Sequence, residues 1–183
     1  MGEAESRYLD AFPSWLQGLG DDARVISGVL KNKNAPEPVR KGAAAALNYL
    51  FRSLDLIPDG IEDLGYLDDA FVLRVAAAGL DAEALSQADG TGTLARLSNE
   101  AALIREFLES DYARLEKYVR GLEKLSARGR TAEDIVEKDS VLAEFVREVE
   151  SWAGAYGAPS FNRDEKNLVK LRAFLGTKLP AAD

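Results

Sequence analysis

A chain of 183 residues, 46% of them hydrophobic and 30% charged, has the composition of a globular rather than a disordered protein, with room for one buried core or two small helical units sharing an interface. Its net charge of −8 disfavours nonspecific attraction to phosphate backbones and anionic lipid headgroups. Cysteine and histidine are both absent, which removes disulfides, thiolate nucleophiles, sulfur-ligated zinc, and the commonest general base and metal ligand. A carboxylate site for a hard cation, or a serine activated by lysine, stays open chemically.

Apolar residues recur at helical spacing almost throughout, and no segment alternates with a period of two between hairpin turns, so the fold is expected to be all-α. Tyr8, Phe12, Trp15, Leu16 and Leu19 make a first apolar face, with Pro13 either kinking one helix or opening a second. Gly20 is expected to stop it, and Asp21 or Asp22 to cap a helix carrying Val25, Ile26, Val29 and Leu30. Pro36 and Pro38 suit the first turn of a third helix through Val39, Ala43, Leu47, Leu50 and Leu54. Its small residues from Gly42 to Ala46 match Ala76 to Gly79 further on, which predicts an antiparallel pair in close contact.

Asp81 is placed to cap a short helix through Leu85, and the chain breaks near Gly90 and Gly92. Beyond that break, Leu94, Leu97, Ala101, Ile104, Leu108, Tyr112, Leu115, Val119, Leu122 and Leu125 follow at threes and fours, predicting one helix of about 50 Å at about 1.5 Å per residue. Gly129 closes it, and Thr131 with Asp134 forms a capping box with a shortened acid. Ile135, Leu142, Phe145, Val149, Trp152 and Tyr156 give a second long seam, expected to fold back on the first, and Leu168, Leu171, Phe174 and Leu175 give a last helix. The expected architecture is a multi-helix bundle with an N-terminal helical module, residues 1–89, and a long C-terminal antiparallel helical hairpin plus a terminal helix, residues 90–183. The two are either separate or one continuous domain.

Six acids, Asp55, Asp59, Glu62, Asp63, Asp68 and Asp69, fall in fifteen consecutive positions without a lysine or arginine among them. They have two readings. As oxygen donors meeting in one loop they are candidate ligands for Mg²⁺ or Ca²⁺. As structural groups, Pro58, Asp59, Glu62 and Asp63 open a short helix, Gly65 ends it with a positive φ, Leu67 and Asp68 staple and cap the next helix, and Asp55 turns the chain, pairing with Arg52 or Arg74. A calcium hand is excluded by spacing. With Gly60 at the sixth position, Asp55 and Asp59 occupy ligand positions, but Ile57 stands at the third and Tyr66 at the twelfth. The structural reading accounts for more residues and is preferred.

The runs Asp55-Leu56-Ile57-Pro58-Asp59 and Gly65-Tyr66-Leu67-Asp68-Asp69 resemble the signature of the YkvA-like family, a domain of unknown function, over about residues 39–80. That resemblance implies no catalytic residue. Relatives of this kind often flank the motif with apolar helices that read as a membrane-associated hairpin. Here Ala43 to Phe51 is a short apolar run followed by Arg52, and Arg74 interrupts the next one.

Elsewhere the signals are weak. Gly90-Thr91-Gly92-Thr93 lacks the lysine and preceding strand of a phosphate loop and reads as a turn. Lys117, Arg120, Lys124, Arg128 and Arg130 are interleaved with Glu116 and Glu123, a solvated mixed-charge face rather than a nucleic-acid surface. Gly2 and Ser6 fit a loose myristoylation pattern that Glu3 and Glu5 spoil. No run approaches the roughly 20 apolar residues that cross a bilayer, and the acidic start is unlike a secretory signal. The sequence therefore reads as a cytoplasmic, non-enzymatic structural or interaction module. It needs no cofactor, and its partner is another protein or a second copy. The alternatives are a Mg²⁺ or Ca²⁺ protein with a regulatory or hydrolytic role and a peripheral membrane protein.

Overall fold

The computed structural model describes residues 2–182. Among these, nine α-helices and two short 3-10 turns form an all-α bundle without a strand. The first helix, α1 (Glu3–Lys31), runs unbroken for 29 residues. Pro13 lies inside it, and Gly20 does not stop it. Tyr8, Leu9, Phe12, Trp15, Leu16, Leu19, Ala23, Ile26 and Leu30 recur every three or four residues on its buried face, and that burial carries the helix through both residues. At Gly20 a side chain would meet the Ala153 carbonyl at 3.3 Å, so glycine here serves close packing instead of termination. Asp22, expected as a cap, is mid-helix and buried, where Arg96 and Arg74 pair with it.

After a turn at residues 32–36, α2 (Glu37–Tyr49) begins on Pro36 and Pro38 as expected but stops five residues short of Leu54. The Tyr49 hydroxyl accepts the N–H of Leu56 at 2.8 Å, folding the chain back, and Leu54 is left 77% exposed. A structured loop, 50–66, leads into α3 (Leu67–Ala78), which is buried on every side from Leu67 to Val75. A helix without a polar face belongs at the centre. Here α3 touches α1, α2, α5 (Thr93–Leu108) and α6 (Tyr112–Gly121), so α2 and α3 pack on each other as expected.

The side chain of Asp81 caps α4 (Ala82–Ala88) by accepting the Ala84 N–H at 2.7 Å. In the following turn the carboxylate of Asp89 accepts N–H groups from Thr91 at 2.9 Å and Leu94 at 2.8 Å, so the turn's amides hold the chain's own acid.

The predicted 50 Å helix is instead two, α5 and α6, separated by a 3-10 turn with Glu109 at φ 52°. Arg172 of α9 (Glu165–Lys178) donates to the Phe107 carbonyl at 3.0 Å, satisfying an acceptor that the end of α5 leaves open. The capping box at Thr131 and Asp134 opens α7 (Ala132–Glu137), and Lys138 in an extended conformation separates it from α8 (Asp139–Ala155). The expected long hairpin does not form. Its two arms pack on other helices, α5 mainly on α3, α8 mainly on α1, and α7 on both α2 and α8. One connected apolar cluster reaches from Tyr8 in α1 to Leu179 beyond α9.

Candidate functional site

The loop between α2 and α3 is held by polar contacts, not by a short helix at Pro58. Tight turns carry it, with N–H groups of Ile61, Leu64, Gly65 and Leu67 donating to carbonyls three or four residues back. Gly65 does not supply the positive φ expected of it; Asp63 (φ 64°) and Tyr66 (φ 66°) do. Glycine is demanded at 65 by space, since a Cβ there would lie 2.0 Å from the Asp59 carbonyl oxygen.

The six acids of this stretch separate into three groups. Glu62 faces solvent. Asp63 turns away from the others and accepts the backbone N–H of Asn162 at 2.9 Å and its side-chain amide at 3.1 Å, tying the loop to the segment before α9. Burial alone would raise the Asp63 carboxyl, but the hydrogen bonds from Asn162 outweigh it and hold it below the usual value. The remaining four, Asp55, Asp59, Asp68 and Asp69, are brought within electrostatic reach of one another.

Asp68 does not cap α3; Tyr66 stands at the N-cap position and makes no side-chain cap. Instead its Oδ2 accepts the Tyr49 hydroxyl at 2.6 Å and the Ile57 N–H at 3.1 Å, while Tyr49 accepts the Leu56 N–H. A tyrosine and an aspartate thus tie the end of α2, the loop and the start of α3 together. Burial pushes the Asp68 carboxyl up to about 6 against the opposing effect of these bonds. Asp69 beside it is 3% exposed, and burial followed by the charges of Asp68, Asp59 and Asp55 raises its carboxyl well above the ordinary range. Asp55 is half-buried and pushed up to about 7 by burial and then by Asp68 and Asp59, with Arg52 opposing. It makes no pairing with Arg74, which is fully buried, donates to Glu100 at 2.8 Å and stacks 4.2 Å over Trp15.

Asp59 marks the solvent edge of the group, and burial raises its carboxyl with the nearby Tyr66 hydroxyl opposing. Tyr66 packs on Tyr156 at 5.2 Å and on Trp152 at 6.3 Å, so the end of α8 forms an aromatic wall beside the acids. Tyr49, Tyr66, Tyr156 and Asn162 were not legible as site residues from the acid run. The one local hint is the position of Tyr49 at the last turn of α2. Buried polar oxygens remain without a hydrogen-bond partner at Asp55 Oδ1, Asp68 Oδ1 and Asp69 Oδ2. As they stand, no three acidic side chains among the described residues form a group placed to hold a metal ion.

Residues 39–74 match the family model of the protein of unknown function DUF1232. The YkvA-like resemblance is consistent with that match. The DUF1232 segment is about a fifth of the chain and runs from the first turn of α2 to Arg74 in α3, so the whole acid loop lies within it. The aromatic wall and Asn162 come from outside it. No curated protein and no solved structure matches the chain. No helix among the described residues is long and apolar enough to cross a membrane.

Proposed function

We propose that this chain is a non-enzymatic helical interaction module that seats an amphipathic helix of a partner protein between α2, α3 and α6. The observation that carries this reading is a groove of about 330 Å³ whose floor includes Gly42, Ala46, Ala76 and Gly79. Residues this small let another backbone approach closely, and the volume suits one or two apolar anchors of a helix laid in a groove. Glu116, Arg120 and Glu123 border the floor. Glu116 and Arg120 stand one turn apart on α6, 3.9 Å from each other, and Glu123 follows in the 3-10 turn beyond it, a mixed-charge rim that suits a partner helix carrying charges of both signs. The lack of histidine and cysteine is in keeping with a role in binding over one in covalent or acid–base chemistry.

The test is a photo-crosslinking residue at position 123, exposed on the rim, in cells of the native source, with adducts identified by mass spectrometry. The expected result is a discrete adduct with one other protein that Arg120→Glu reduces at least tenfold. An adduct of twice the chain's mass would replace the partner helix by a second copy. Adducts that ignore Arg120→Glu would overturn the groove as the docking face.

A further inference from the structure

An open cavity of about 560 Å³ brings Phe51, Arg52, Ser53 and Leu54, at the end of α2, to face Ser126 and Arg128 of the turn before α7. Both walls are fixed. Ala127 and Arg130 exchange backbone hydrogen bonds of 3.0 and 3.1 Å around a two-residue turn, and the buried side-chain amide of Asn48 fastens that turn to α2 by donating to the Arg130 carbonyl at 3.0 Å. The turn holds Arg128 at φ 50° and Gly129 at φ 77°. Asparagine, aspartate or glycine usually takes the first of these positions, so an arginine there carries backbone strain of the kind that collects at binding sites. The donors around the cavity are also in surplus. Arg130, buried against Phe51 and Phe145, takes both oxygens of Glu148 at 3.0 and 2.6 Å. Arg128 adds one bond, from Nη1 at 3.1 Å, to a carboxylate already engaged. The Arg52 Nε is shielded from water and donates to no group. Asp55 feels the Arg52 guanidinium, but its buried Oδ1 also lacks a partner, so neither atom satisfies the other, and Asp55 does not line the cavity. A buried donor left unpaired is costly, which marks it as a place where something else binds.

We propose that this cavity binds a phosphate group, held by the guanidinium groups of Arg52 and Arg128 and the hydroxyls of Ser53 and Ser126, with Leu54 against the apolar part of the molecule that carries it. No acid lines the cavity, and guanidinium forks with hydroxyls are the donor set that takes an oxyanion and repels a metal ion. One arginine and one serine come from each wall, so the donors reach a tetrahedral group from two sides, where a flat carboxylate would be served by a single fork. Leu54 is 77% exposed on one wall, and Leu125, next to Ser126, is 38% exposed on the other, so apolar surface adjoins the donors on both. The carrier is a soluble phosphate ester or a lipid headgroup, which offer these groups the same chemistry. The cavity shares no lining residue with the groove between α2, α3 and α6, so the two sites stand or fall separately.

The experiment is an amide NMR titration of the full chain with sodium phosphate at constant pH and ionic strength, beside flotation with phosphatidylcholine vesicles that contain or lack phosphatidic acid. Expected are saturable shifts centred on residues 51–54 and 126–128, with a Kd of about 1 mM or tighter for inorganic phosphate. Arg52→Gln and Arg128→Gln should each weaken binding at least about tenfold, the loss that goes with a hydrogen bond between charged partners, while Lys166→Gln, exposed on α9, should leave it unchanged. Arg128 has a 58% exposed side chain, so its variant carries the test should Arg52→Gln fail to fold. Phosphate shifts without flotation assign the carrier to a soluble ester. Flotation that needs phosphatidic acid and is lost in Leu54→Ser, with the phosphate shifts kept, assigns it to a lipid. No saturable shifts up to tens of millimolar phosphate, shifts spread over exposed lysines and arginines elsewhere, or an affinity unchanged in Arg128→Gln would overturn the site.

Discussion

Tyr49 is 1% exposed, and its hydroxyl is both the acceptor for Leu56 and the donor to Asp68. Removing that single oxygen leaves a buried N–H unpaired and the Asp68 carboxylate with the Ile57 N–H as its remaining partner on Oδ2. Tyr49→Phe should therefore destabilise by about 1 to 3 kcal/mol in urea denaturation; a loss under about 0.5 kcal/mol would mean that the backbone turns alone hold the loop. The same group of acids sets a pH dependence. Asp55 and Asp68 have ordinary carboxyl values of 3.8 when unfolded and are raised to about 7 and about 6 when folded. The folded chain then binds more protons than the unfolded one between about 4 and 7, so their contribution to stability is present below about 4 and is lost as pH rises through 6 to 7. Tyr49, Tyr66, Tyr118 and Tyr156 facing these acids stay protonated across that window, all raised chiefly by burial. Acids held low, such as Asp134 at about 2, lose their contribution only below about 4. The melting temperature should peak near pH 4 and fall toward pH 8, and Asp55→Asn should flatten the fall.

At the scale of elements, α3 shows how a helix with no polar face accepts a charge. Arg74 is buried in it and held by Glu100 and Asp22, with Arg96 pairing to the same two acids from a 45% exposed position. Truncating Arg74 leaves Asp22 buried beside one partner fewer, and Arg74→Ala should destabilise by about 3 kcal/mol or more in chemical denaturation, whereas Arg96→Ala, partly in water, should cost much less. Equal losses from the two would contradict the central place of Arg74 in this network. Arg74 and Asp22 were legible in the sequence only as a charge interrupting an apolar run and as a candidate cap. Their 52-residue separation along the chain hides the pairing. Helix ends behaved likewise. Asp81 and the Thr131–Asp134 box cap through neighbours a few residues away and could be foreseen, whereas the end of α5 near Glu109 takes its partner, Arg172, from far along the chain.

Across the whole molecule, one apolar cluster joins residues of α1 through α9, and α1 crosses to α8 while α3 touches both α1 and α5. Cohesion of that kind should give a single unfolding transition, with far-ultraviolet and near-ultraviolet circular dichroism coinciding in guanidinium. Two resolved transitions would instead separate residues 1–89 from 90–183 as independent units.

The sequence by itself determined the helical class, the caps at Asp81 and at Thr131 with Asp134, the proline-led start of α2 and the gathering of aspartates between two small-residue helices. All of these depend on spacing and on contacts within a few residues. Tertiary structure decided the rest. It carried α1 through Pro13 and Gly20, divided the two long seams, and gave the arms of the expected hairpin to α1, α2 and α3, because apolar periodicity says which face is buried but not against what. It also sorted six similar acids into an exposed one, one tied to Asn162, and four that feel one another's charge, since burial and partner choice at a carboxylate are set by chain segments that meet only in the folded molecule.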